Sequence, residues 1–219
     1  MVRGDYEIRV IGNVRAAFVL RAQQTIVKRA LGQFEHAADV EVTWRSFQLN
    51  PDTPPGTAVP TTDYLVRRFG PQAKAMTGRV AELAAEEGLD FDFDAALTVN
   101  TLDAHRLLHL AADLGIGDAA KERLLRAHFT EGADLSDHDT LTRLLTEAGA
   151  DEPRVRAVLA SDEYADTVRA DFDEARLLGA GGVPFFVIDR KYGVSGAQPA
   201  ETFLHALRTA YAAEDATAR

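Results

Sequence analysis

The residue types best suited to chemistry lie in one short stretch of the sequence, Asn100-Thr-Leu-Asp-Ala-His-Arg106. Histidine is the side chain whose unperturbed pKa lies near neutrality, so His105 is the candidate acid–base residue. Asn100 and Arg106 carry N–H donors that could position an oxyanion. The same stretch also suits the start of an ordinary helix, with Asn100 or Thr101 as its cap. The sequence leaves both interpretations open.

His105, His109 and Asp113 are spaced four residues apart and would share one face of a helix. Histidine and carboxylate side chains are metal ligands, but this set supplies too few of them for a zinc tetrahedron. Polar surface side chains at helical spacing give the same pattern. We therefore predict a protein without a bound metal or other cofactor.

The chain has 219 residues and no cysteine. This excludes disulfide exchange, thiolate nucleophiles, Cys-ligated zinc and iron–sulfur clusters. The sequence also lacks the phosphate-cradling, dinucleotide-binding and serine-nucleophile motifs. Any catalysis must therefore use histidine, carboxyl, hydroxyl, tyrosine or lysine groups, backbone dipoles or a borrowed cofactor.

Charge and hydropathy narrow the range of partners. The 24 basic and 34 acidic residues give a net charge of −10. Nucleic acids and anionic membranes attract basic patches, so this acidic excess argues against both as partners. No apolar run approaches the roughly 20 residues of a membrane span. We expect a cytoplasmic protein and leave a homodimer open.

Hydrophobic periodicity predicts strands at both ends of the chain and helices between them. Alternating or compact apolar runs predict four strands, at residues 6–11, 40–47, 184–188 and 191–195. Helical spacing predicts helices over residues 17–34, 62–178 in several segments, and 199–211. The Pro-rich stretch 50–62 is predicted as a loop, and residues 214–219 as a frayed tail.

The order of these elements is β-α-β, a long helical block, then α-β-β-α. It predicts an α/β fold with a large all-helical insertion, divided into residues 1–60 with 162–219 and residues 61–161. Two local features are predicted inside the insertion: a cap at Asp137, and a buried stripe formed by Leu107, Leu110, Ala111 and Leu114.

Several motifs together resemble a known family. They are Trp44-Arg-Ser-Phe-Gln-Leu-Asn-Pro51, Asn100–Arg106, His128-Phe-Thr-Glu-Gly132, Gly182-Val-Pro-Phe-Phe-Val-Ile-Asp189 and Val194-Ser-Gly-Ala-Gln198. The chain resembles the DsbA-like branch of the thioredoxin superfamily and, within it, the FrnE group. That group is related to 2-hydroxychromene-2-carboxylate isomerases and kappa-class glutathione transferases. The resemblance implies a thioredoxin fold with a helical insertion, and a cis bond at Val183-Pro184 facing the active-site helix.

The sequence departs from this family at the catalytic motif. The position of the family's C-x-x-C motif matches Ala17-Phe-Val-Leu20, so both cysteines are absent. Ala17 also replaces the serine with which the isomerase and transferase relatives hold glutathione. Either the vacated site is an apolar pocket, or Ala17–Leu20 fills it. The pocket interpretation predicts these substrate-binding residues: Asn13, Arg15, Ala17, Phe18, Leu20, Val183, Pro184, Phe185 and Gln198.

Three functions follow from the resemblance and the missing cysteines. The first is a thiol-independent enzyme, an isomerase of natural-product biosynthesis, acting on a hydrophobic aromatic or polyketide-like molecule through His105, Asn100 and Arg106. The second is a catalytically inactive ligand-binding protein or partner subunit. The third is an isomerase that borrows glutathione or a similar thiol, held along Val183-Pro184 with Gln198 near its γ-glutamyl end.

Overall fold

The computed structural model of the chain describes residues 6–12, 27–47, 49–50, 52–86, 90–183, 185–196 and 198–217. The chain forms two compact units, which we name by their content. The sheet unit comprises Met1–Leu49 with Asp171–Arg219, and the helical unit comprises Asn50–Ala170. The sequence-based boundaries at 60/61 and 161/162 differ from these and stay a prediction.

In the part of the chain that the structure describes, the sheet unit has four strands in the order β2-β1-β5-β6. The strands are β1 (Tyr6–Gly12), β2 (Val40–Ser46), β5 (Phe185–Ile188) and β6 (Tyr192–Ser195). The pair β1–β2 is parallel, whereas β1–β5 and β5–β6 are antiparallel. All four strands were predicted from alternation and apolar runs.

Successive side chains of a strand point to opposite faces of the sheet, so the residues of β5 belong to two separate apolar layers. Phe186 and Ile188 of β5 pack on one face, together with Trp44, the helical residues 27–31 (α1) and helix α9 (Ala200–Thr217). Phe185 and Val187 pack on the other face, with Ala175 of helix α8 (Ala165–Leu177). Each layer covers one face of β5, so both faces of that strand are removed from water.

The hairpin β5–β6 turns where it was predicted. The amide of Lys191 donates to the carbonyl of Ile188 at 3.1 Å, and both Asp189 and Arg190 have positive φ angles. Two successive left-handed residues characterise a type I′ turn, whose twist matches that of the flanking strands.

The helical unit contains six complete helices among the residues that the structure describes. They are α2 (Thr61–Phe69), α3 (Ala73–Glu86), α4 (Leu102–Asp113), α5 (Gly117–Phe129), α6 (His138–Glu147) and α7 (Glu152–Leu159). The predicted cap of α6 is confirmed, because Asp137 accepts a hydrogen bond from the amide of Thr140 at 2.7 Å.

Three predictions about local structure were wrong. Strand β3 (Val59–Pro60) lies within the predicted loop and pairs antiparallel with β4 (Leu97–Thr98). Leu107, Leu110 and Ala111 are buried as predicted, but Leu114 is 47% exposed because α4 ends before it, at Asp113. Helix α9 continues to Thr217 instead of fraying at Glu214, consistent with the high helix propensity of its Ala-rich end.

None of the helices in the described ranges combines the length and the apolar character needed to cross a bilayer.

Candidate functional site

Asn100 holds the start of α4. Its Oδ1 accepts the amide of Leu102 at 2.9 Å, and its Nδ2 donates to the carbonyl of Thr53 at 2.7 Å. The side-chain oxygen therefore satisfies one of the amides that a helix N-terminus leaves without a helical partner. The side-chain nitrogen fixes the segment around Thr53 against the same terminus.

Arg106 is buried, and its guanidinium group binds protein acceptors on three sides. Nε donates to the carbonyl of Glu163 at 2.8 Å, and Nη2 donates to the carbonyls of Val158 and Ser161. Nη1 forms an ion pair with Asp103 at 2.7 Å. These contacts explain the burial of Arg106 through the α7–α8 connection, without a ligand.

Asp103 also contacts an imidazole ring. Its Oδ2 lies 3.0 Å from Nε2 of His138, the first residue of α6. The carboxylate thus joins the starts of α4 and α6, with its other oxygen held by Arg106. Sequence reasoning missed this contact, because 35 residues separate Asp103 from His138.

His105 lies in the first part of α4 and is 1% exposed. His109 and Asp113, its predicted face-mates, contact Tyr164 instead. The phenol of Tyr164 donates to Asp113 at 2.6 Å. The ring of Tyr164 stacks with the imidazole of His109, and the two ring centroids are 6.2 Å apart. No set of three or more metal-ligating side chains is gathered anywhere in the described residues.

The phenol–carboxylate contact changes the titration of Tyr164. The hydrogen bond to Asp113 is the main cause that raises the pKa of Tyr164 above its ordinary value, with burial and the Asp113 charge adding to it. The backbone of Tyr164 has a φ angle of 63°, which is unusual for a non-glycine residue. The contact with Asp113 therefore holds a strained residue in place.

Two predicted substrate-binding residues lie at one end of the sheet. Val183 and Phe185 flank Pro184, where the chain enters β5. The ring of Phe185 is buried among Ala175, Ala180 and Val187, and Val183 packs beside it while partly exposed. At this end β1 and β2 terminate together, because Gly12 pairs with Ser46.

Gln198 closes the turn that follows β6. Its Nε2 donates to the carbonyl of Ser195 at 3.0 Å. Gly196, between them, has a φ angle of 77°, a conformation that glycine adopts without strain. The side-chain amide of Gln198 thus already serves the local backbone.

Asp171 is a buried charge that sequence reasoning missed. Its carboxylate accepts the amide of Ser46 at 2.9 Å and lies 3.5 Å from Nη1 of Arg45. Asp171 occupies the same stripe of α8 as the buried residues Val168 and Ala175. A carboxylate at helical spacing within an apolar stripe was the signal that could have revealed it.

The predicted site residues are divided between the two units. Asn100, His105 and Arg106 belong to the helical unit, whereas Val183, Phe185 and Gln198 belong to the sheet unit. The remaining predicted positions lie outside the described residues: Asn13, Arg15, Ala17, Phe18, Leu20 and Pro184.

Comparisons with known proteins agree with the architecture. The probable DsbA oxidoreductase SCO1869 of Streptomyces coelicolor is 39% identical, with a TM-score of 0.86 over 94% of this chain and 90% of its own. The uncharacterized protein YwbO of Bacillus subtilis strain 168 is 28% identical over 167 residues, 74% of this chain and 78% of its own.

A 2-hydroxychromene-2-carboxylate isomerase structure shares the fold at 12% identity and a TM-score of 0.61, covering 97% of this chain and 99% of its own. The family model described as the DSBA-like thioredoxin domain matches residues 24–208. This match covers most of the chain and includes the strands β2, β5 and β6 as well as the helical insertion. The chain therefore belongs to the DSBA-like thioredoxin domain family.

Proposed function

We propose that this protein is a thiol-independent member of its family, which binds a hydrophobic, unsaturated small molecule and isomerises it by proton transfer. The observation that carries the proposal is the complete absence of cysteine from a DsbA-like chain. Disulfide exchange requires a thiolate, so this chain cannot perform it. An isomerisation moves a proton between two carbons and requires neither a thiol nor an oxidant.

The end of the sheet where β5 begins supports the binding of an apolar ligand. Phe47, Leu178 and Val183 are partly exposed there and pack around Phe185. Small-molecule sites combine such apolar side chains with a few polar groups that fix orientation. The isomerase that shares this fold supports the choice of reaction class.

His105 is the proposed acid–base residue, since histidine is the residue type whose unperturbed pKa lies near neutrality. Asn100 is the proposed oxyanion donor, through a side-chain amide that has two N–H groups, one of which donates to the carbonyl of Thr53. Arg106 does not have this role in the proposal, because its guanidinium donors bind Asp103 and three backbone carbonyls.

Turnover of a panel of aromatic and polyketide-like enones tests the reaction. His105→Gln removes the base while keeping much of the side-chain volume. It should lower the rate by about 10²–10⁴-fold. His128→Gln is the matched control, because His128 is equally buried at 1% exposure and has no proposed catalytic role. Equal loss in both variants would indicate a general effect on folding and would remove His105 from the mechanism.

A non-catalytic binding protein is the second candidate function. It is favoured by the burial of His105 and by the internal contacts of Arg106. Native mass spectrometry of protein purified from its host would show a bound small molecule that the protein does not convert. Conversion of any panel substrate would eliminate this candidate.

A thiol-cofactor-dependent isomerase is the third candidate, and calorimetry with glutathione tests it. A dissociation constant far above cellular thiol concentrations would exclude it.

We also propose a cytoplasmic location and a role in natural-product biosynthesis. The homodimer stays open, and size-exclusion chromatography with light scattering would detect it.

A further inference from the structure

The junction of α2 and α3 is positively charged, although the chain as a whole is acidic. Residues 64–81 include four cationic side chains and no carboxylate, whereas the net charge of the chain is −10. The four cations are Arg67, Arg68, Lys74 and Arg79, and all of them are exposed. Only residues 70–72 connect α2 to α3, so each cation lies within about two helical turns of this connection.

These four side chains differ from the other cations of the helical unit in their partners. Each of the others forms an ion pair with a carboxylate: Arg106, Lys121, Arg123, Arg126, Arg143, Arg154, Arg156 and Arg169. In the ranges that the structure describes, no carboxylate forms an ion pair with Arg67, Arg68, Lys74 or Arg79. Their charge is therefore left for solvent or for a partner molecule.

Two large apolar side chains are exposed in the same region. Phe69 is 49% exposed and Met76 is 61% exposed. The guanidinium carbon of Arg68 lies 5.5 Å from the ring centroid of Phe69. Gln72 lies between the two apolar residues, because its side chain donates to the carbonyl of Phe69 and its own carbonyl accepts the amide of Met76 at 3.1 Å. We call the following residues the α2–α3 patch: Arg67, Arg68, Phe69, Lys74, Met76 and Arg79.

Charge distinguishes the molecules that could cover the α2–α3 patch. A second copy of the chain, seated on the same face by two-fold symmetry, would place like charges opposite each other, which is unfavourable. A bilayer or a nucleic acid is an extended anionic surface and would also face the acidic remainder of the chain. A single acidic helix would interact mainly with the patch, because charges more than about 10 Å apart are largely screened at 0.1 M salt.

We propose that the α2–α3 patch binds an acidic amphipathic helix of a partner protein. The carboxylates of that helix pair with the four cations, while its apolar stripe covers Phe69 and Met76. Arginine, methionine and aromatic residues are enriched in protein–protein interfaces, which fits the composition of the patch. The patch includes none of the residues proposed for isomerisation or ligand binding, so the inference goes beyond the proposed function.

Fluorescence anisotropy with two labelled peptides tests the proposal. Both peptides have about 18 residues, or roughly five helical turns, with a stripe of leucine and phenylalanine. Glutamates flank the stripe in the first peptide, and glutamines replace them in the second. At low salt the wild-type chain should bind the glutamate peptide roughly tenfold more tightly, since several exposed ion pairs add up to that difference. Added sodium chloride should reduce the difference.

Paired substitutions show whether the patch itself causes the preference. Arg68→Gln combined with Arg79→Gln should remove most of the preference for the glutamate peptide. Arg126→Gln combined with Arg143→Gln is the matched control, because it removes the same charge from two exposed arginines of the same unit. This control should keep the preference.

Met76→Ser tests the apolar part of the patch. It should weaken the binding of both peptides several-fold, because both carry the apolar stripe. Leu177→Ser is the control, since Leu177 is 88% exposed and lies outside the patch, and it should leave both affinities unchanged. Equal affinities of these two variants would remove Met76 from the binding surface.

Other results would overturn the proposal as a whole. Equal affinity of the wild-type chain for both peptides, or equal loss of preference in the two arginine double variants, would show that the patch does not recognise acidic helices. Binding of phosphatidylglycerol vesicles or single-stranded DNA in place of the glutamate peptide would assign the patch to a membrane or a nucleic acid. A wild-type dimer that the Arg68→Gln, Arg79→Gln variant loses in sedimentation would assign it to a second copy. Circular dichroism checks the folding of each variant, and Arg67→Gln with Lys74→Gln provides a second pair if the first unfolds.

Discussion

The ring of Phe185 lies over Gly193 on the neighbouring strand, so closely that a Cβ atom at position 193 would come within 2.9 Å of Phe185 Cζ. Phe185 is buried against Ala175 and Val187 on its other sides. The position of this ring at the end of the sheet therefore depends on the absence of a side chain in β6.

Gly193→Ala should destabilise the protein, because the ring of Phe185 must move against packed neighbours. The expected loss is about 1–3 kcal/mol, the usual range for overpacking. Gly78→Ala in α3 is the control, since nothing lies within 4 Å of a Cβ there. That substitution should stabilise the helix by about 0.5–1 kcal/mol. Urea unfolding measures both, and equal stability of the two variants would contradict the close contact.

Arg106→Met should be strongly destabilising, because it leaves backbone carbonyls and Asp103 without their donor. We expect a loss of about 3 kcal/mol or more, as for other broken buried pairs. Arg169 is exposed and forms an ion pair with Asp166 of the same helix, so Arg169→Met should change the free energy of unfolding by less than about 0.5 kcal/mol. A small effect at both positions would show that the contacts of Arg106 contribute little.

Asp137 should make the stability of α6 depend on pH. The hydrogen bond from the amide of Thr140 is the main cause that lowers the pKa of Asp137 below its ordinary value of 3.8. A depressed folded-state pKa stabilises the protein above the ordinary value and loses that contribution as pH falls through the folded value. Asp137→Ala should cost about 1 kcal/mol at neutral pH and less in acid.

Asn is the informative comparison at position 137, because it caps helices without titrating. Thermal unfolding at neutral and acidic pH should show that Asp137→Asn retains most of the cap under both conditions. If the stability difference between the wild-type chain and Asp137→Ala were the same at neutral and acidic pH, the titration of Asp137 would not contribute to stability.

Tyr164 should ionise at higher pH than an ordinary tyrosine. Its hydrogen bond to Asp113 raises its pKa above 10.0, so the stabilisation is present below that pH and is lost as pH rises through the folded value. Phenolate absorbance, compared between the wild-type chain and Tyr164→Phe, isolates this group. Asp113→Asn should shift the titration back toward its ordinary range, and an unchanged curve would refute the coupling.

Local patterns sufficed to predict much of the fold. Val40, Val42 and Trp44 alternate along β2 and do pack against one apolar layer, and Asp137 caps α6 as its position suggested. The pair β3–β4 escaped prediction, because two residues per strand are too few to show alternation and Pro60 suggests a loop. Leu114 has the right spacing for the buried stripe but follows the end of its helix.

The site residues were harder to predict, since their partners are distant in sequence. Arg106 binds carbonyls 52 to 57 residues away, and Arg45 lies 126 residues from Asp171. Residue type suggested chemistry for Arg106, yet only tertiary contacts reveal that its donors serve the backbone. Asp171 was detectable in principle, through its place in the apolar stripe of α8.

The position of Trp44 makes tryptophan fluorescence a probe of the sheet unit. Trp44 is the sole tryptophan of the chain, and it packs in the apolar layer of the sheet unit. Indole emission therefore reports on that unit alone, whereas far-ultraviolet dichroism is dominated by the many helices that lie between Asn50 and Ala170. Recording both signals during one denaturant titration would reveal whether the two parts of the molecule melt as one cooperative body or in separate steps.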